Sequence, residues 1–123
     1  MKKNIVRDKS FAFALRIIKL CRYLDSEKKE YVLSRQLLRS GTAICALVRE
    51  AEQAESKADF IHKMSISLKE ANETDYWIEL LYHSGIIIQN EYNSINPDIE
   101  ELLKLLTSII KSSKLAAGNA KKK

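Results

Sequence analysis

The sequence has few of the residues that interrupt helices, with one proline and three glycines among 123 residues. Leu, Ile, Ala, Lys and Glu, which favour helix, are frequent. No apolar run approaches the ~20 residues that a membrane span requires, and no signal peptide is recognisable at the start. We therefore expect one cytoplasmic, all-α domain over residues 1–123.

Cysteine is also scarce, and both copies fall inside apolar helical patterns. In a cytoplasmic protein we expect Cys21 and Cys45 to be reduced and buried, because a buried free cysteine behaves as a small hydrophobic residue. A disulfide bond between them is the alternative.

The spacings that catalytic and metal sites need are missing. A di-iron bundle requires two Glu-x-x-His pairs and two further glutamates, yet no glutamate here has a histidine three residues later. Asp59 with His62, and Glu79 with His83, are isolated pairs that we interpret as ordinary helix residues. Cys-x-x-Cys, a glycine-rich phosphate loop and a nucleophile elbow are absent as well. From the sequence we therefore expect no enzymatic activity, no bound metal or cofactor and no small-molecule substrate.

Apolar periodicity predicts four helices with short connections, which implies an antiparallel up-down four-helix bundle. The helices are expected over 8–25, 31–55, 57–84 and 97–115, followed by a frayed tail over 116–123.

Local signals set these boundaries. Asp8 or Ser10 is the predicted cap of the first helix, and Asn96-Pro97 is the predicted start of the fourth. Ser56 precedes Asp59 by three residues, as in a capping box, and Gly85 is placed to end the third helix. Gly41 falls in mid-helix, where glycine costs ~1 kcal/mol relative to alanine. We therefore expect a neighbouring helix to approach closely there.

The first helix has an unusually wide apolar stripe. Six of its members recur at three- and four-residue steps: Phe11, Ala14, Leu15, Ile18, Cys21 and Leu24. Phe13, Ile17 and Leu20 widen the stripe beyond what one intramolecular partner needs, which indicates a second interface. Exposure of Ile17 and Leu20 would favour a missing partner.

Charge is distributed unevenly around a formal net value of +5. Basic residues of the first helix are candidates for contacts with nucleic-acid phosphates. These candidates are Arg7, Lys9, Arg16, Lys19 and Arg22.

A second charged group lies near apolar faces of the second and third helices. Arg39, Glu50 and Glu73 could form a buried ion cluster that fixes helix register. Three ordinary surface charges are the competing interpretation.

Several short segments, taken together, carry a family resemblance. They are Leu37-Leu38-Arg39-Ser40, Gly41-Thr42-Ala43-Ile44, Arg49-Glu50-Ala51, Ser56-Lys57-Ala58-Asp59-Phe60, the stretch 67–74, Trp77-Ile78-Glu79-Leu80-Leu81 and the stretch 102–110. Over roughly residues 5–115 the chain resembles the bacterial proteins encoded by intervening sequences of 23S rRNA genes, also labelled S23-type ribosomal proteins. It departs from their pattern at Cys45, where Gly or Pro is common, and at Leu47, where Asn is usual.

The resemblance implies a four-helix bundle that assembles into a ring-shaped homo-oligomer, with a pentamer expected. A related accessory protein of diversity-generating retroelements shares the fold and binds nucleic acid through a basic surface. Residues and resemblance together predict a non-enzymatic oligomer that binds structured nucleic acid, with RNA favoured over DNA. The alternative is a protein-interaction or assembly module that does not bind nucleic acid.

Overall fold

Four helices account for most of the chain. The computed structural model describes residues 4–122, with side chains described for residues 4–119. The helices are α1 (Ile5–Ser26), α2 (Val32–Glu52), α3 (Lys57–His83) and α4 (Gln89–Lys122), and no strand occurs in this part of the chain. Each helix packs on the next, and α1 also packs on α4. The predicted four-helix, all-α fold is confirmed.

Contacts between helices show that neighbours run antiparallel. The end of α1 meets the start of α2, where the Ser34 hydroxyl donates to the Cys21 carbonyl at 3.3 Å. The Thr74 hydroxyl of α3 donates to the Ser40 hydroxyl of α2 at 2.9 Å, and Ser67 donates to the Ile44 carbonyl at 2.9 Å. These buried bonds satisfy polar groups inside the core and fix the register of the helices.

The start of α1 differs from the prediction. Asn4, rather than Asp8 or Ser10, is the cap, and its side chain accepts from the Arg7 backbone N–H at 3.0 Å. Ser10 instead is buried within the helix, and its hydroxyl donates to the Arg7 carbonyl. Burial of Val6 extends the packed part of α1 by about one turn towards the start of the chain.

The predicted start of α4 at Asn96-Pro97 is wrong, because Pro97 lies inside the helix, which begins at Gln89. Glu91 accepts from the Ile88 backbone N–H at 2.8 Å and so caps the true first turn. A proline in a helix interior removes one backbone hydrogen bond. Burial of Ile95 and Ile99 on either side of Pro97 offsets this loss.

The end of α4 is also corrected. The helix continues to Lys122, whereas a frayed tail was predicted over 116–123. Ala116 and Ala117 favour helix, and Gly118 does not end it. Lys123 lies outside the described residues.

The core uses only part of the wide apolar stripe that was predicted for α1. Val6, Phe13, Ile17, Cys21 and Leu24 are buried, while Phe11 and Leu15 are 48% and 49% exposed. Ile17 is fully buried, so the exposure that would have favoured a missing partner is not found there, and Leu20 is half-buried. Both stripes satisfy helical periodicity, so packing against α2 and α4 decides between them.

Signals at the two ends of α3 are confirmed. The Ser56 hydroxyl accepts from the Asp59 backbone N–H at 3.0 Å, and the Asp59 carboxylate accepts from the Glu55 N–H at 3.3 Å. Gly85 has φ of +82°, the left-handed conformation that glycine adopts without a steric cost.

Gly41 provides the close approach that its mid-helix position predicted. A Cβ atom at this residue would lie 2.9 Å from two side-chain carbons of Ile17, which is fully buried. Ile17 is β-branched and has little freedom to rotate away. Glycine at position 41 therefore allows α1 and α2 to pack at this distance.

We expect Gly41→Ala to lower the free energy of unfolding by about 1 kcal/mol. Overpacking costs about 1–3 kcal/mol, which exceeds the gain of about 1 kcal/mol in helix propensity. Urea denaturation measures the change. Gly118→Ala is the matched control, since nothing lies within 4 Å of its added Cβ, and it should not destabilise. A Gly41→Ala variant as stable as the wild type would show that α1 and α2 do not need this contact.

Candidate interaction surface

The five basic residues predicted to contact nucleic acid do not form one free surface. Arg7 pairs with Glu52 of α2 at 3.3 Å, and Lys9 pairs with Glu101 of α4 at 3.0 Å. Both pairs are solvent-exposed, so each contributes at most about 1 kcal/mol. Two of the five candidates thus have an intramolecular partner.

Arg16 is held more firmly, at the turn of α4 that contains Pro97. Its guanidinium donates to the Ser94 carbonyl at 2.9 Å and to the Ser94 hydroxyl at 2.6 Å, and it forms an ion pair with Asp98. These bonds stabilise α4 where the proline weakens it. Arg16 therefore has a structural role that its position in the sequence did not indicate.

Lys19 and Arg22 are exposed, and neither forms an ion pair with the residues that the structure describes. Lys19 lines a shallow groove between α1 and α4 together with Tyr23 and Glu91. Of the five candidates, Lys19 and Arg22 are therefore the two without an ion-pair partner among the described residues.

The most distinctive surface is apolar and lies across α1 and α2. Phe11 and Leu15 share one face of α1 with the half-buried Ile18, and Leu38 is 39% exposed on α2. The Arg49 guanidinium lies 5.4 Å from the centre of the Phe11 ring, which joins the two helices in a cation–π contact. We call this surface the α1–α2 face. Its residues are Phe11, Leu15, Ile18, Arg22, Leu38, Thr42 and Arg49.

The sequence around the α1–α2 face is free of negative charge. Neither the stretch from Phe11 to Arg22 nor the stretch from Val32 to Arg49 contains Asp or Glu. Arg22 and Arg49 therefore give the face a positive potential. The apolar periodicity predicted a second interface on the first helix but missed Leu38 and Arg49. The long stretch without carboxylates could have revealed them.

The opposite side of the bundle is negative. Residues 70–103 contain no Lys or Arg, and their carboxylates are spread over α3 and α4. Arg39, Arg16 and Lys9 neutralise several of them from the neighbouring helices. Three remain close together on the α3–α4 side and define the acidic face: Asp75, Glu79 and Glu100.

Burial, hydrogen bonding and electrostatic repulsion all raise pKa values within the acidic face. Partial burial raises the pKa of Asp75, and the charges of Glu79 and Glu100 raise it further. A hydrogen bond to Glu79 raises the pKa of Tyr92 to about 12, with a smaller contribution from burial. The Oε2 atom of Glu79 lies 4.0 Å from His83 Nε2. A positively charged group placed here would therefore be stabilised.

The predicted Arg39–Glu50–Glu73 cluster is only partly present. Arg39 pairs with Glu73 and, at 3.0 Å, with Glu70. The Trp77 indole N–H donates to Glu73 at 3.1 Å. Glu50 instead pairs with Lys63 at 3.4 Å. Half of the Arg39 side chain is exposed, so the cluster is a surface network between α2 and α3 and not a buried one.

Both cysteines are free and buried, as predicted. The Cys21 thiol donates to the Ser34 carbonyl at 3.3 Å, and burial raises its pKa to about 11. A thiol with so high a pKa is a poor nucleophile at neutral pH. Cys45 contacts the Arg7 carbonyl at 3.7 Å.

Within the part of the chain that the structure describes, no group of three or more His, Cys, Asp or Glu side chains is arranged to hold a metal ion. Among the same residues, no helix combines the length and hydropathy needed to cross a membrane.

The fold and its charge distribution define a small all-α helical-bundle protein with two sides of opposite charge. Residues 2–108 match the family model of the 23S rRNA-intervening sequence proteins, and the chain belongs to this family. A crystal structure of a protein with unknown function from the S23 ribosomal protein family of Bacteroides thetaiotaomicron is similar, with a TM-score of 0.85 and 58% identity. The similarity covers 86% of this chain and 98% of that one. No curated protein matches the chain.

We expect Asp75→Asn to raise the melting temperature at pH 7. The raised pKa means that the folded state disfavours the charged carboxylate, so this group reduces stability as pH rises through its titration range. The gain should disappear in acid below the usual aspartate pKa of 3.8, where the carboxyl is protonated in both states. Thermal melts followed by circular dichroism at several pH values measure this dependence.

Glu73→Gln is the contrasting variant, because Glu73 has Arg39 as a partner. It should lower the melting temperature at pH 7. Equal effects of the two variants would contradict the assignment of repulsion to Asp75.

Proposed function

We propose that the protein is a non-enzymatic assembly module that forms homo-oligomers through the α1–α2 face. The observation that carries this proposal is the exposure of Phe11, Leu15 and Leu38 together on one side of the bundle. Apolar clusters of this kind on soluble proteins mark interaction sites more often than isolated exposed residues do.

Charge complementarity favours a second copy of the chain as the partner. The α1–α2 face carries Arg22 and Arg49, and the acidic face on the opposite side carries unneutralised carboxylates. In a closed bundle the α1–α2 pair and the α3–α4 pair form opposite sides. One copy can therefore contact the next head to tail, with a positive apolar face against a negative one.

Head-to-tail contacts between identical copies generate a ring when the rotation closes. We propose a ring, and the family resemblance favours five subunits. Oligomerisation would bury Phe11 and Leu15 and relieve the repulsion at Asp75.

Nucleic-acid binding is the second candidate function, with structured RNA favoured. Its support on α1 now comes from Lys19 and Arg22 alone, which are exposed and unpaired among the described residues. A ring would pair Arg22 with the acidic face of the next copy and repeat Lys19 in every subunit, so the α1 surface of a ring that faces a phosphate would rest on Lys19.

We expect Leu15→Glu to convert the oligomer into a folded monomer, because it places a carboxylate at the centre of the α1–α2 face. Light scattering coupled to gel filtration measures the mass, and circular dichroism checks the fold. Ile88→Glu is the matched control, since Ile88 is 57% exposed in the connection between α3 and α4 and lies outside this face. A wild-type protein that is monomeric at tens of micromolar would overturn the proposal, as would a Leu15→Glu variant of unchanged mass.

Charge reversal tests the second candidate. Lys19→Glu with Arg22→Glu should weaken binding to a labelled RNA hairpin and reduce the salt dependence, since each lost phosphate contact lowers the slope of log K against log salt by about 0.9 or less. Fluorescence anisotropy at several salt concentrations measures both quantities. Unchanged affinity would remove α1 from the nucleic-acid surface.

A further inference from the structure

The positive charge of the chain is concentrated in the last turns of α4. Residues 111–123 contain five lysines and no Asp or Glu, so the formal charge of this segment, +5, equals that of the whole chain. Residues 1–110 are therefore balanced. We call residues 111–122 the basic arm, which lies within α4.

The basic arm extends beyond the packed part of the bundle. Ile110 is the last buried residue of α4, and no residue from Lys111 to Asn119 is buried. Ser113 lies beside the α2–α3 corner, lining a shallow depression that includes Glu52 and Lys57. From Ile110 to Lys122 the helix rises by about 18 Å, at ~1.5 Å per residue.

The described lysines of the arm are free of intramolecular partners. Lys111 and Lys114 are three residues apart on one side of α4, and both are exposed. No ion pair within residues 4–119 involves either of them. Glu52, which lines the same depression as Ser113, is paired with Arg7. The arm therefore differs from α1, where three of five basic candidates are engaged.

The composition of the arm restricts the anionic partner that it fits. Leu115 is its only large apolar residue, so it lacks the apolar face with which an amphipathic helix enters a membrane surface. It has no aromatic residue on which unpaired bases could stack. What remains is a helix with lysines and no acidic residue, a composition suited to contacts with the phosphates of a duplex.

We propose that the basic arm is a nucleic-acid-binding element that contacts the phosphate backbone of double-stranded RNA or DNA without reading its sequence. This inference deepens the second candidate function and is independent of self-association. The arm lies outside the part of the chain that matches the family model, which ends at residue 108. The arm is thus a feature of this chain that the family match does not supply.

The test compares variants that have the same net charge. Lys111→Gln with Lys114→Gln removes two charges from the arm, while Lys69→Gln with Lys104→Gln removes two exposed charges from α3 and from the packed part of α4. Glutamine keeps the helix propensity of lysine. The probes are a labelled 20-base-pair RNA duplex, its DNA counterpart and a single strand of the same sequence, titrated by anisotropy between 50 and 200 mM salt.

The arm variant should bind both duplexes about tenfold more weakly than the wild type, and its slope of log K against log salt should be shallower by about two. The control pair should change affinity much less, and circular dichroism should show equal helix content. Equal losses of duplex affinity in the two variants would show that the basic arm is not a specific binding element, while the nucleic-acid candidate function would still stand.

The remaining outcomes separate the arm from the functions proposed above. No binding of the wild type to any probe at 50 mM salt would overturn both the arm and the nucleic-acid candidate, whatever the oligomeric mass. If duplex binding is lost in the Lys19→Glu, Arg22→Glu variant and kept in the arm variant, the site lies on α1 and the proposal for the basic arm is overturned. Binding to vesicles with 30% phosphatidylserine but not to duplexes would assign the arm to lipid and contradict the proposal.

Discussion

The close approach of α1 and α2 at Gly41 determines which side of α1 faces solvent. Ile17 occupies the space that a Cβ at position 41 would need, so α1 is rotated with Phe13, Ile17 and Cys21 inward. Phe11 and Leu15, on the other apolar stripe, must then face outward. The α1–α2 face is therefore a consequence of core packing, and a helix with two apolar stripes leaves one of them available to a partner.

Basic and acidic residues are unevenly distributed along the chain, and the packing of the four helices decides which of them can pair. Because residues 70–103 carry no Lys or Arg, the carboxylates of this stretch that pair with Lys or Arg do so with cations from α1 and α2. Arg16 and Lys9 link α1 to α4, and Arg39 links α2 to α3. The carboxylates beyond their reach are left to repel one another on the α3–α4 side. The bundle thus has opposite charge on its two sides after internal pairing.

The number and type of helices could be predicted from the sequence, because few residues interrupt the helical periodicity. The ends of α3 were also predictable, since Ser56 and Gly85 act through local hydrogen bonding and local φ. The start of α4 was not, because burial of Ile95 and Ile99 overrides the local preference of Pro97. Periodicity identified both stripes of α1 but could not choose between them. Nor could it assign partners, so Glu70 was missed beside Arg39 and Glu50 was included wrongly.

The intramolecular bonds that each basic residue would have to break determine how readily it can contact a phosphate. Lys9 can leave Glu101 at a cost of at most about 1 kcal/mol, since the pair is exposed. Arg16 would give up three bonds and also release the turn that contains Pro97, so its recruitment would destabilise α4. Lys111 and Lys114 have no such bonds to break among the described residues. Phosphate contacts that form without disturbing the bundle are therefore expected first on the basic arm, and on α1 only through Lys19 and Arg22.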